Sequence, residues 1–195
     1  MNRSIKLFVL LVCMVCYGCK TISTNVMNIN SNIPYREIKT IAVMRFDDKY
    51  VQGKAVTGFL LKTVSNPDAG ELLADIMTNE LLKWGKYRVL TRPEIKSKLK
   101  TKKLKEEELV KSKDFATIEK ILKIDAVILG KIDTFELSNM TIYERGNVSF
   151  TAECIDVKNG KTLWSMETNE SAPYKDELEL ADKAVKEAVE KLRKE

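Results

Sequence analysis

The sequence predicts an α/β (α+β) fold in a single domain, and three observations carry the prediction. Residues 38–46 and 126–132 are short, near-continuous apolar runs, the pattern of strands buried on both faces of a sheet. Ala69–Trp84 places Leu72, Leu73, Ile76, Met77, Leu81 and Trp84 at three- and four-residue spacing, which makes one apolar stripe on a helix, and Gly85 stands where a C′ glycine ends one. Finally, Val148, Phe150, Ala152 and Cys154 alternate with polar residues in the two-residue period of a half-buried strand, ahead of the hairpin signal Asn159-Gly160.

Taken in order, residues 1–18 read as a lipoprotein signal peptide. Arg3 and Lys6 give a cationic start, residues 7–17 an apolar run, and Gly18 a small residue before Cys19. The run is too short for a bilayer core of about 30 Å. Cleavage before Cys19 and acylation of its thiol would make this a bacterial lipoprotein, although Cys16 stands where the usual motif has leucine. Cys13, Cys16 and Cys19 also have metal-ligand spacing. They lie in the apolar signal, with no histidine in the chain to complete a set, and no metal or other cofactor is expected. Only Cys19 and Cys154 remain after cleavage, so no internal disulfide is expected.

Loss of the signal lowers the basic count from 33 to 31 against 28 acids, near +3. That mixed surface lacks the concentrated positive field of a nucleic-acid binder. Residues 19–37, rich in asparagine and serine, read as the acylated N-terminus and a flexible tether, ended by Pro34. Residues 38–195 are the globular domain.

After the first strand and Asp47-Asp48, residues 49–68 form a segment unusually long for a connection. It holds Val51, Val56, Phe59, Leu60, Leu61 and Val64. Two readings stay open: an elaborated hairpin or helical turn packed on the core, or an apolar docking surface, for which Val56, Phe59, Leu60 and Leu61 are the candidate partner-binding residues. A short strand is expected at residues 87–90. Thr91, Pro93 and Glu94 then give a capping box with a first-turn proline, opening a helix through Leu99. Eight lysines follow within residues 96–113. Without interleaved arginines or aromatics they read as a solvated face, with contact to anionic lipid headgroups as the alternative.

Asp114 caps a helix with the stripe Phe115, Ile118, Ile121 and Leu122. Residues 138–147 read as a polar connection, Cys154 as an inward, inert thiol, and residues 163–166 as the strand returning from a type I′ turn. A last helix after Pro173 would bury Leu178, Ala181, Val185, Ala188 and Leu192.

In their order, the segments IAVMRF, LLADIMTNELLKWGKYRVLTRPEI, KILKIDAVILGKI and VSFTAECIDVKNGKTLWS make residues 38–192 resemble the CsgG/LpoB-like periplasmic lipoprotein family, which includes the curli secretion channel and activators of penicillin-binding proteins. The resemblance implies a small mixed β-sheet flanked by helices, and binding or assembly instead of catalysis. It implies an envelope lipoprotein, anchored to the membrane through Cys19, that engages an envelope protein partner or its own copies. The alternative within the family is a subunit of an oligomeric outer-membrane secretion channel. Neither 47–68 nor 138–147 shows two strands of the nine to eleven residues that a spanning barrel needs. No histidine, nucleophile elbow, P-loop or dinucleotide fingerprint is present, so no enzyme and no small-molecule substrate is expected. Lys20 after the cysteine favours the outer membrane.

Overall fold

In the computed structural model, residues 21–30, 38–52, 55–58, 61–140 and 143–194 are described. They form one mixed sheet with helices on both faces. In chain order the elements are β1 (Ile22–Ile29), β2 (Thr40–Val43), β3 (Ala55–Thr57), β4 (Leu61–Ser65), α1 (Ala69–Trp84), β5 (Arg88–Leu90), α2 (Arg92–Thr101), α3 (Glu106–Ser112), α4 (Phe115–Leu122), β6 (Ala126–Met140), β7 (Glu144–Asp156), β8 (Thr162–Pro173) and α5 (Glu177–Arg193). The sheet order is β1-β8-β7-β6-β2-β5. The β2 strand runs parallel to both β5 and β6, and the β6–β7–β8–β1 half is antiparallel.

The apolar runs are continuous because both sides of the sheet are covered. Ile41, Val43 and Ile128 face α1 and α5, which contribute Leu73, Met77, Leu81, Ala184, Val185 and Ala188 to that core. Ala42, Met44, Val127 and Leu129 face the opposite way, against Ile95 and Leu99 of α2, Leu109 of α3, and Ile118 and Leu122 of α4. Successive residues of a strand point to opposite faces, so a strand between two helical layers needs apolar side chains at every position.

The sequence signals at the helix ends are realised. Gly85 is left-handed (φ 73°) at the end of α1. Thr91 and Glu94 form the reciprocal capping box of α2, and the Asp114 carboxylate accepts from the Thr117 amide at the start of α4. Cys154 is buried, and burial pushes its thiol pKa far up.

Four expectations are corrected. Residues 22–29, read as part of a flexible tether, form β1, paired along its length with β8 from Ile22 opposite Ser171 to Ile29 opposite Trp164. The segment is too polar to fold alone, but Met27 and Ile29 pack on the core, and the Asn25 side chain donates to the Ala184 carbonyl of α5 (3.2 Å). Residues 138–147 are mostly paired strand: β6 continues through a register shift between Ile132 and Thr134 to Met140, and β7 starts at Glu144. Backbone pairing holds these polar residues in the sheet, where Ser138 is buried and bonded to Thr63. In α5 it is Leu180, not Leu178, that is buried, because the helix starts only at Glu177, capped by Asp176; Leu178 is exposed.

The fourth correction concerns the hairpin turn. Only Gly160 has a positive φ (69°), and the Gly160 amide donates to the Asp156 carbonyl (2.9 Å), so the loop is longer than a two-residue type I′ turn. The nearest atom to a Cβ added at Gly160 is 3.8 Å away, on Phe115. The cost of Gly160→Val is therefore backbone strain alone, on the order of 1–3 kcal/mol. A melting temperature equal to that of the parent would refute this assignment.

Candidate docking surface

The chain leaves the core beside the irregularity in β6. The Asp47 amide donates to the Gly130 carbonyl and the Ile132 amide to the Asp47 carbonyl (2.9 and 2.8 Å). A turn then seats Val51 in the core at 3% exposure, with its amide on the Asp48 carbonyl. Beyond the reach of β2, the hairpin β3–β4 takes over as the neighbour of β6: Leu61 lies opposite Met140 and Ser65 opposite Glu136. Thr63 and Ser138 share a hydroxyl hydrogen bond of 2.9 Å across this pair.

Among the described residues β3 pairs only with β4, so its outer edge is unpaired, and all three of its residues are exposed. Of the candidate partner-binding residues, Val56 stands on this edge strand at 63% exposure. Leu61 opens β4, paired through its backbone. Phe59 and Leu60 lie outside the described residues, as does Cys19. Val64 is 41% exposed on the opposite face of the hairpin. Tyr50 is exposed nearby, with the Lys131 ammonium 5.0 Å from its ring centre. A short edge strand bearing an exposed β-branched residue is a template for another strand or apolar surface.

A buried charge cluster that the sequence did not reveal braces the other side of this end of β2. Arg92, 3% exposed, donates to Glu106 Oε1 and Oε2 (2.7 and 2.9 Å), to Glu71 Oε1 and Oε2 (3.3 and 2.9 Å) and to the Val43 carbonyl (2.9 Å). Glu106 also accepts from the Arg45 amide. Burial works to lower the pKa of Arg92, but hydrogen bonds and charge from Glu106 and Glu71 outweigh it and raise the pKa. For Glu71, burial raises the pKa and the bonds from Arg92 and Lys96 prevail, so the carboxyl sits below its ordinary 4.5.

Asp48, half of the acidic pair at the end of the first strand, is 2% exposed and fully engaged. It accepts from the Arg45 guanidinium (2.7 Å), the Gln52 amide (2.9 Å) and the Gly70 backbone at the start of α1 (3.1 Å). These carboxylates are structural clamps. The adjoining open groove of about 650 Å³ is rimmed by Lys96, Lys100, Lys103 and Lys105. Of the rim lysines, Lys96 pairs with Glu71 (2.5 Å), while Lys98, outside the groove, donates to the Leu122 carbonyl (2.7 Å). No cluster of metal-ligating side chains occurs among the described residues, and none of their helices is long and apolar enough to cross a membrane.

The family model described as "Curli production assembly/transport component CsgG" matches residues 24–169. Among solved structures, PelC from Paraburkholderia phytofirmans, described as a dodecamer, is similar at 16% identity and a TM-score of 0.55, over 86% of this chain and 95% of that one. Lipoprotein GNA1162 from Neisseria meningitidis is similar at 18% identity and a TM-score of 0.58, over 80% of this chain and 99% of that one. The C-terminal domain of LpoB from Escherichia coli is a more distant likeness, at 11% identity and a TM-score of 0.41, over 67% of this chain and 81% of that one. No curated protein matches the sequence.

Proposed function

The chain belongs to the CsgG family of curli production assembly/transport components, and from that premise we propose that it is an envelope lipoprotein, acylated at Cys19, serving as a periplasm-facing binding or assembly module and not as an enzyme. Three supports converge: a signal architecture ending at Gly18-Cys19, a fold shared with a protein named as a lipoprotein and with one named as a dodecamer, and acidic groups committed to holding the fold. Lys20 favours the outer membrane.

The observation that carries the reading is the outer edge of β3, which no described strand pairs. Among its described residues the hairpin presents Val56 and Val64 to solvent. Its partner is an envelope protein or a neighbouring copy, held through strand pairing and apolar contact. A channel subunit is the second reading, favoured by the length of β6 and β7. From Thr134 to Met140, however, β6 falls short of the roughly nine to eleven residues of a spanning strand, so the module reading is preferred.

Two measurements test the proposal. Labelling with a palmitate analogue should mark the parent protein and not Cys19→Ser. Val56→Asp, on an exposed edge, should change stability by no more than about 0.5 kcal/mol while reducing chemical cross-linking of the acylated protein to its copies or partner. Loss of the fold would make the hairpin core, and undiminished cross-linking would remove it as the docking site. Ion conductance by the purified protein in a planar bilayer would favour the channel.

A further inference from the structure

Strand register fixes which end of the sheet an acyl chain on Cys19 must reach. Ile22 lies opposite Ser171, Ser171 opposite Asn147, and Asn147 opposite Glu136. Because β1 is antiparallel to β8, the chain before Ile22 leads toward the end of the sheet where β8 finishes, β7 begins and β6 finishes. From the row of Ile22, the last paired row of β6 and β7, Asn139 opposite Glu144, lies three residues further on, about 10 Å at strand spacing. Cys19 also lies three residues before Ile22, and three residues span at most about 11 Å. Acyl chains on Cys19 would therefore be within reach of this rim, since only Lys20 and Thr21 separate it from β1.

The rim itself carries an aromatic pair that the fold does not use internally. Tyr174 is 71% exposed, and its ring centre lies 5.7 Å from that of Tyr143. Its φ is +60°, a region a bulky residue rarely occupies. The conformation is fixed by the Tyr174 amide donating to the Glu144 carbonyl (2.8 Å), which turns the chain out of β8 at the edge of the sheet. Arg145, whose guanidinium donates to Ser171, and Lys175 flank the pair. Tyrosine with neighbouring cations is the composition that settles at a bilayer's headgroup layer, where the ring is half desolvated and the hydroxyl stays hydrated.

We propose that the rim formed by Tyr143, Tyr174 and the facing ends of β6 and β7 rests in the phospholipid headgroup layer of the leaflet that holds the Cys19 acyl chains. This inference rests on the acylation reading and adds to it a defined orientation. The domain sits end-on, with its strands directed at the membrane and the Asn159-Gly160 turn pointing away from it. The outer edge of β3 is then presented sideways, in the plane where a neighbouring protein on the same leaflet would meet it.

The test uses the acylated full-length protein in vesicles of phosphatidylethanolamine and phosphatidylglycerol. A fluorophore is attached at Lys175→Cys, beside the tyrosines, or at Lys158→Cys, at the opposite end of the sheet; the buried Cys154 does not compete for label. Headgroup-linked nitroxide lipids should quench the label at 175 at least roughly threefold more than the label at 158, and Tyr143→Ser with Tyr174→Ser should reduce that difference, if the aromatics anchor the rim. Equal quenching on protein whose mass includes the acyl chains overturns the seating and leaves acylation standing. A mature mass without acyl chains overturns both. Shielding of the 175 label from iodide in detergent, without vesicles, assigns the rim to contact between copies and also overturns the seating.

Discussion

Arg92→Ala is expected to lower the melting temperature by on the order of 10 °C. The substitution leaves the buried Glu106 and the half-buried Glu71 without the guanidinium that neutralises them and frees the Val43 carbonyl. Breaking one side of a buried ion pair costs about 3–5 kcal/mol, and each kcal/mol shifts the transition of a chain this size by about 2–4 °C. Arg92→Lys should recover little of the loss, since one ammonium cannot grip two carboxylates and a carbonyl in the fork geometry that the guanidinium fills. The same cluster sets a pH dependence. The pKa of Glu71 is depressed in the folded state below its ordinary 4.5, so its stabilisation is complete above that unfolded value and is lost as pH falls through the lower folded value. Thermal melts of the parent from pH 6 down to 3 should show a loss that Arg92→Ala lacks in part. Parallel curves for the two proteins would remove the cluster as its source.

Phe46→Ala should be comparably damaging, at about 3–5 kcal/mol. The ring is fully buried, packed edge-on against Phe150 with centres 5.9 Å apart. It lies directly over Gly130, where a Cβ would fall inside the ring's own volume and 2.7 Å from the Thr151 carbonyl. This close approach requires glycine at position 130, in the middle of a strand that otherwise favours branched residues. Gly130→Ala alone should therefore cost about 1–3 kcal/mol by overpacking. Since the two changes compete for one space, Gly130→Ala should cost less in the Phe46→Ala background than in the parent. Additive losses in a urea-unfolding cycle would show that the backbone contact with Thr151, and not the ring, sets the requirement.

Much of this fold was legible because its signals are local. The Gly85 end of α1, the Thr91–Glu94 box and the Asp114 cap each act within a few residues, and doubly covered strands must be apolar throughout, which is why β2 and the first half of β6 stand out. Cys154 was legible for a related reason: its place in the alternation assigns it to the inner face. The missed elements depend on partners far along the chain. Residues 22–29 are polar enough to read as a tether, and they become a strand because β8, more than a hundred residues later, offers an open edge and α5 covers Met27 and Ile29. Glu71, Arg92 and Glu106 are three ordinary charges in sequence, on three different helices, and only packing at the end of β2 brings them together and removes water from them. The candidate surface divides in the same way. An apolar excess in residues 49–64 was visible from composition, but the exposure of Val56 follows from the register of β4 on β6. By itself the sequence determined the elements with local periodicity and caps, and the cysteine from which we propose the protein is hung. Tertiary structure alone decided that residues 22–29 are sheet, because a strand's pairing partner, not its own composition, settles whether it is spacer or sheet.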